Sequence, residues 1–168
     1  SETTGHSREL LDDYYQVTNG TDVRYSEEIL KIVKKEKIEF ILPGSDEEAI
    51  CISRSKEVFN TMGVKPIVSS LEVLELITNK YDTYVALAEK GIRVPEYKKV
   101  NSIEEFKSAI YGYGFPEVTV ISKPVNGRGG RDLYVFEGSA GCPLWLGNGQ
   151  REKVIKKQDL TDKLLEQI

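Results

Sequence analysis

The sequence predicts an α/β protein: a lobe of parallel strands and helices over residues 1–79, then a small α+β unit over residues 80–168. Short apolar runs alternate with capped amphipathic segments in the first half, the pattern of strand–turn–helix units. Ser-x-x-Glu spacings at Ser45–Glu48, Ser69–Glu72 and Ser102–Glu105 mark helix starts. Val118 to Phe136 reads as two antiparallel strands joined by a long glycine-rich loop.

The first predicted helix is Glu9 to Tyr15, and no strand precedes it. An extended segment with turn chemistry at Asn19-Gly20 follows. Ser26 is placed as the cap of a helix through Glu36, with Ile29, Ile32 and Val33 as its inward stripe. Ile38 to Leu42 suits a central parallel strand. From Ser45 a helix runs to about Met62, closed by Gly63, with Ala49, Ile52, Phe59 and Met62 inward. Pro66 to Ser69 is the next strand. Ser69 then caps a helix bearing Leu71, Leu74 and Ile77, and the lobe closes near Asn79.

The second unit opens with a helix from Lys80 to Lys90, with Tyr84, Val85 and Ala88 as its apolar stripe. Gly91 fits the position just past the helix end, and Val94-Pro95 leads into a strand through Val100. Ser102 caps a helix with Ile103, Phe106, Ala109 and Ile110, ending at Gly112-Tyr113-Gly114. The strand from Val118 stops at Pro124, which has no amide proton, and this leaves Lys123 at its end. Asn126 to Asp132 show no apolar period, and Leu133 to Phe136 resume strand composition. Beyond, residues 137–158 are turn-rich and carry an aromatic excursion at Leu144, Trp145 and Leu146. Asp159 is placed as the cap of a final helix, Thr161 to Ile168, with Leu164, Leu165 and Ile168 as its apolar side.

Composition narrows the function classes. A formal net charge of −4 and the lack of a broad basic stripe argue against a nucleic-acid binder. The lysines around Lys34 and Lys156 read as solvated faces. Cys51 and Cys142 lack metal or disulfide spacing, and Cys51 reads as a buried thiol. His6, the sole histidine, is a bystander near the terminus. No apolar run approaches the ~18 residues of a membrane span and no signal peptide opens the chain, which makes the cytoplasm the default.

The candidate binding residues are cationic and glycine-rich. Gly127, Gly129 and Gly130 let successive backbone amides converge on an anion, while Arg128 and Arg131 add charge. Lys123 stands at the base of the loop. Lys80 falls in the first turn of its helix, where the dipole favours anions and a lysine gains nothing structurally. On their own, these features also fit a solvated hairpin loop and an ordinary surface lysine. The loop lacks the G-x-G-x-x-G order and opens no helix, which disfavours a dinucleotide-binding oxidoreductase, and no Walker A lysine follows its glycines. In the first lobe, Ser45 and Glu48 follow a strand, where ligands sit in open α/β sheets. They also suit a plain helix cap, which is the favoured reading.

The ordered set Lys80, Gly91, Ile92, Val94, Pro95, Phe115, Pro116, Lys123, Pro124, Gly127, Gly129 and Gly130 resembles the ATP-grasp enzymes, nearest to carbamoyl-phosphate-synthase-like members. The resemblance implies a partial Rossmann-like pre-ATP-grasp lobe without its first strand, then an incomplete ATP-grasp lid subdomain. It implies that Lys80 and Lys123 contact the α- and β-phosphates of ATP beneath the glycine-rich loop. Arg128 stands where many members carry a small residue. The implied reaction activates a carboxylate as an acyl phosphate for attack by an amine or similar nucleophile. The adenine hinge and the carboxylates that bind Mg²⁺ are expected in a later part, so these 168 residues alone are expected to be inactive. The alternative is a non-catalytic α/β module that binds a phosphorylated metabolite or a protein. No nucleic-acid or membrane partner is expected, and a homodimer is a further expectation.

Overall fold

A computed structural model describes residues 11–127, 129, 132–139, 141 and 152–161. Predictions placed on His6, Arg128, Gly130, Arg131, Cys142, Trp145 and the helix after Thr161 lie outside the described residues. The chain divides into two compact units, Ser1–Glu75 and Leu76–Ile168.

The first unit is built of α1 (Tyr25–Glu36), β1 (Phe40–Ile41), α2 (Asp46–Arg54), α3 (Lys56–Thr61), β2 (Lys65–Pro66) and most of α4 (Leu71–Thr78). The strands pair in parallel, Phe40 with Lys65 and Ile41 with Pro66, as the α/β reading requires. Ile41 packs on a core of Tyr25, Val33, Ile52, Phe59 and Val64. Its neighbours Phe40 and Leu42 alternate to the other face and remain 60% and 79% exposed. A short strand this open on one face is not the buried central strand expected. Burying a side chain such as Phe59, fully inaccessible here, stabilises by roughly 1.5–3 kcal/mol.

Several predicted details need correction. Residues 11–19 form no helix, so the helix expected through Tyr15 is absent over its described part. Instead Thr18 donates from both its backbone N–H and its hydroxyl to Glu28 Oε2, at 2.7 and 3.0 Å, which ties the segment to α1. Ser26 does not cap α1. The helix begins one residue earlier, and the Ser26 hydroxyl donates to Ser55 Oγ at 2.7 Å. The single helix expected to Met62 breaks at Ser55, whose backbone leaves helical geometry, and Met62 is 40% exposed. Ser70 rather than Ser69 caps α4, accepting from the Val73 amide at 3.4 Å, while the Ser69 carbonyl accepts from Ser53 Oγ. Ile77 of α4 is 54% exposed. Cys51 is half-buried against the core rather than fully enclosed.

The second unit holds α5 (Lys80–Glu89), α6 (Ile103–Gly112), β3 (Val120–Ser122), β4 (Leu133–Phe136) and β5 (Glu152–Ile155). β3 and β4 are antiparallel, with Val120 opposite Phe136 and Ser122 opposite Tyr134, as expected for the two strands flanking the loop. β5 was not foreseen. It adds in parallel to β4, Leu133 opposite Glu152 through Phe136 opposite Ile155. Asp159 ends a short 3-10 turn, Lys157–Asp159.

α6 begins at a reciprocal cap: Ser102 Oγ accepts from the Glu105 amide at 3.1 Å, and Glu105 accepts from the Asn101 amide at 2.9 Å. It buries Ile110 against Phe115, Tyr134, Phe136 and Ile155, with Phe106 edge-on to Phe136 at 5.5 Å. Gly138 follows β4 at a place where no side chain fits, since a Cβ there would lie 2.5 Å from the Val118 backbone. The strand expected over Val94–Val100 does not form, because that stretch has no ladder partner in the sheet order β3-β4-β5. Among the described residues no helix is long and apolar enough to cross a membrane.

Candidate functional site

α5 is set at both ends by its own sequence. Asn79 caps its start, Oδ1 accepting from the Asp82 amide at 3.1 Å. At its end the Ile92 amide donates to Leu87 O and the Gly91 amide to Ala88 O, at 3.0 and 2.9 Å. Gly91 takes φ +72°, a Schellman closure that favours glycine.

The start of α5 is stitched to the chain leaving β3. The Lys80 amide donates to Val125 O at 2.9 Å, and Asn79 bridges Asn126. Two residues on, the Lys80 ammonium donates to Gly127 O at 2.7 Å. Lys80 therefore grips the first turn of the glycine-rich loop with both its backbone and its side chain. Gly127 and Gly129 take φ +129° and +64°, the left-handed region predicted for this loop.

Lys123 is the residue just past β3. Its ammonium donates to Tyr84 Oη at 2.8 Å and lies 5.2 Å from the centre of that ring. Lys80 and Lys123 both line one cavity of about 860 Å³, bounded by the first two turns of α5, residues 95–103, α6 and β3. The stretch that failed to become a strand is one of its walls. Lys98 and Lys99 add cationic character, and Glu96 and Asp132 are its carboxylates. Two ammonium groups held by neutral acceptors keep their charge uncompensated by those contacts, which suits an anion of several charges.

The structure thus brings together Lys80, Lys123 and Gly127, with Gly129 in the same loop. Arg128, Gly130 and Arg131 are outside the described residues. Ser45 and Glu48 lie in the first unit and serve α2. Ser45 Oγ accepts from the Glu48 amide at 3.3 Å, and Glu48 Oε2 accepts from the Gly44 amide at 2.9 Å. Sequence reasoning missed Tyr84, assigned to an apolar stripe. Its spacing of four from Lys80, one helical turn, was the available signal. It also missed Tyr81 and Tyr97, whose rings meet edge-on at 5.8 Å beside Tyr84.

Among the described residues no three His, Cys, Asp or Glu side chains gather closely enough to hold a metal ion.

Two comparisons with known proteins bear on this arrangement. Residues 2–67 match the family described as PylC-like, N-terminal domain. The chain is also 29% identical over 119 residues to a formate-dependent phosphoribosylglycinamide formyltransferase of Bacteroides fragilis. That alignment covers 71% of this chain and 29% of the relative, so the match spans less than a third of the relative's length. Both likenesses accord with the ATP-grasp resemblance carried by the ordered motif and with an N-terminal α/β lobe.

Proposed function

We propose that the cavity of the second unit is a nucleotide-phosphate site and that the whole protein is an ATP-dependent carboxylate–amine ligase. In this reading residues 1–79 form the pre-ATP-grasp lobe and residues 80–168 belong to the ATP-grasp lid. Lys80 and Lys123 engage the phosphates of ATP. The loop through Gly127, Arg128, Gly129, Gly130 and Arg131 supplies amide and guanidinium donors over them. The carboxylate oxygen attacks the γ-phosphorus and ADP leaves; the amine then attacks the acyl carbon, inorganic phosphate is expelled, and the nitrogen loses a proton to give the amide. The reading takes the enzyme as cytoplasmic and carbamoyl-phosphate-synthase-like, with Mg²⁺ required. The carboxylates that hold it are expected in a later part of the protein, and no step is assigned to that ion. Ser45 and Glu48 are the candidate substrate-side residues of the first lobe.

One observation carries the proposal: two lysines 43 positions apart, on α5 and after β3, line the same cavity. Gly127 O and Tyr84 Oη each accept one hydrogen bond from these ammonium groups, and an ammonium carries three donors, so a polyphosphate oxygen can be accepted alongside either contact. Both residues are solvent-accessible, so each contact contributes only about 0–1 kcal/mol.

Calorimetric titration of the 168-residue chain with ATP, with and without Mg²⁺, tests the site. Lys80→Ala and Lys123→Ala are each expected to weaken binding by up to about fivefold, more at low salt than at high. Binding that ignores both substitutions would falsify the site assignment. Equal affinity for inorganic tripolyphosphate and ATP, with no response to Mg²⁺, would favour a module for phosphorylated metabolites.

A further inference from the structure

A lysine that must meet a phosphate at a fixed point has a structural problem, because its four-carbon stem samples many rotamers. Lys123 has a remedy close at hand. Its ammonium donates to Tyr84 Oη at 2.8 Å, off the hydroxyl rim of that ring and 5.2 Å from its centre, so the phenol oxygen offers an acceptor at a fixed point. The ring is itself held: Tyr97 packs on it at 5.1 Å, inclined by 50°. Tyr97 in turn meets Tyr81 edge-on at 5.8 Å. All three tyrosines line the cavity.

Tyr84 is also one helical turn beyond Lys80 on α5. A single helix thereby presents one lysine directly and holds the other through a phenol. From this geometry we infer that Tyr84 is a positioning residue: it sets the Lys123 ammonium in the cavity before the polyphosphate arrives. The inference rests on the nucleotide-phosphate reading of the cavity and adds to it how the second cation is pre-organised. The phenol accepts from Lys123 and keeps its own proton to donate. It is therefore a neutral holder that leaves the cation's charge available, which a carboxylate would not.

The test uses the full chain, inorganic tripolyphosphate as the probe, and two readouts. Calorimetry of wild type, Tyr84→Phe, Lys123→Ala and the double variant forms a cycle. Tyr84→Phe is expected to weaken tripolyphosphate binding about three- to fivefold, and to have no further effect once Lys123 is alanine. The second readout needs no ligand: in Tyr84→Phe the Lys123 side-chain Cε resonance shifts while that of Lys80 stays, with the melting temperature unchanged. Tyr84→Met, which removes the ring, must shift the same resonance further and covers the case of a poorly folded Phe variant.

The inference is overturned if the Tyr84→Phe loss is equally large without Lys123, or if the Lys123 resonance does not move. Should Lys123→Ala itself leave tripolyphosphate affinity intact, the phosphate reading falls. The resonance readout then still decides whether Tyr84 orders Lys123.

Discussion

In residues 1–75 polar side chains close on backbone ends and on one another, whereas in residues 76–168 two lysines turn toward a cavity. Ser45 and Glu48 satisfy amides at the start of α2, Glu28 takes both donors of Thr18, and Arg24–Asp22 and Lys35–Glu36 are paired at 2.7 and 2.8 Å. In the second unit Lys80 donates to a carbonyl and Lys123 to a phenol. Carboxylate partners would neutralise these cations, while carbonyl and phenol partners only orient them. Lys56 of the first unit also donates to a carbonyl, Val68 O at 3.1 Å, so what sets Lys80 and Lys123 apart is the cavity they share.

Both units nonetheless depend first on aromatic burial, and the largest predicted effects lie there. Phe59 and Phe136 are each fully buried, one in each core. Replacing either with alanine removes ring contacts that the backbone cannot close up, at a cost of about 3–5 kcal/mol. Urea unfolding should register both losses. Hydrogen exchange should place them: Phe59→Ala strips protection from α1 to α3, and Phe136→Ala from β3 to β5. Unchanged protection in the local unit would show that the core assignment is wrong.

A smaller effect addresses the contrast itself. Ser45→Ala removes the α2 cap and should cost about 1 kcal/mol of stability. Lys123→Ala should change stability by no more than about 0.5 kcal/mol, since it deletes an exposed contact that closes no backbone group. If Lys123→Ala proved as damaging as Ser45→Ala, Lys123 would be a structural residue and the contrast would fail.

How much of this was readable in the sequence depends on how local each determinant is. The caps at Ser45 and Ser102, the Gly91 closure and the strand–loop–strand from Val120 to Phe136 are set within a few residues, and pattern finds them. Ser69 and Ser70 are adjacent, so spacing alone could not decide which would cap α4. β5 was missed because Glu152–Ile155 sits among lysines, and its strand identity comes from the β4 ladder rather than from alternation. Val94–Val100 failed for the converse reason: it has strand composition but no partner. Of the candidate site, the two lysines were visible through the ordered motif. Tyr84 was not, because an aromatic at helical spacing reads as core until its hydroxyl is seen on Lys123.

The smallest predictions concern pH, and both titrating groups belong to the first unit. Burial, with the Glu48 carboxylate and the Cys51 thiol nearby, pushes the Tyr25 hydroxyl up to about 12 from an ordinary value of 10.0. The folded state therefore holds this proton more tightly than the unfolded chain. Its contribution is complete below pH 10 and is lost as pH rises toward 12. Asp22 behaves in the opposite sense. The Arg24 guanidinium and backbone N–H donate to its carboxylate and hold it down to about 2 from 3.8. That contribution is complete above pH 3.8 and is lost as pH falls toward 2. Because this pair is exposed, its share is the weaker of the two. Urea midpoints of wild type and Tyr25→Phe should diverge between pH 10 and 12, and those of wild type and Asp22→Asn between pH 4 and 2. A Tyr25→Phe curve parallel to wild type through the alkaline window would mean that the hydroxyl is solvated. The tight closure of polar and aromatic groups in the first unit would then be looser than its buried Tyr25 implies.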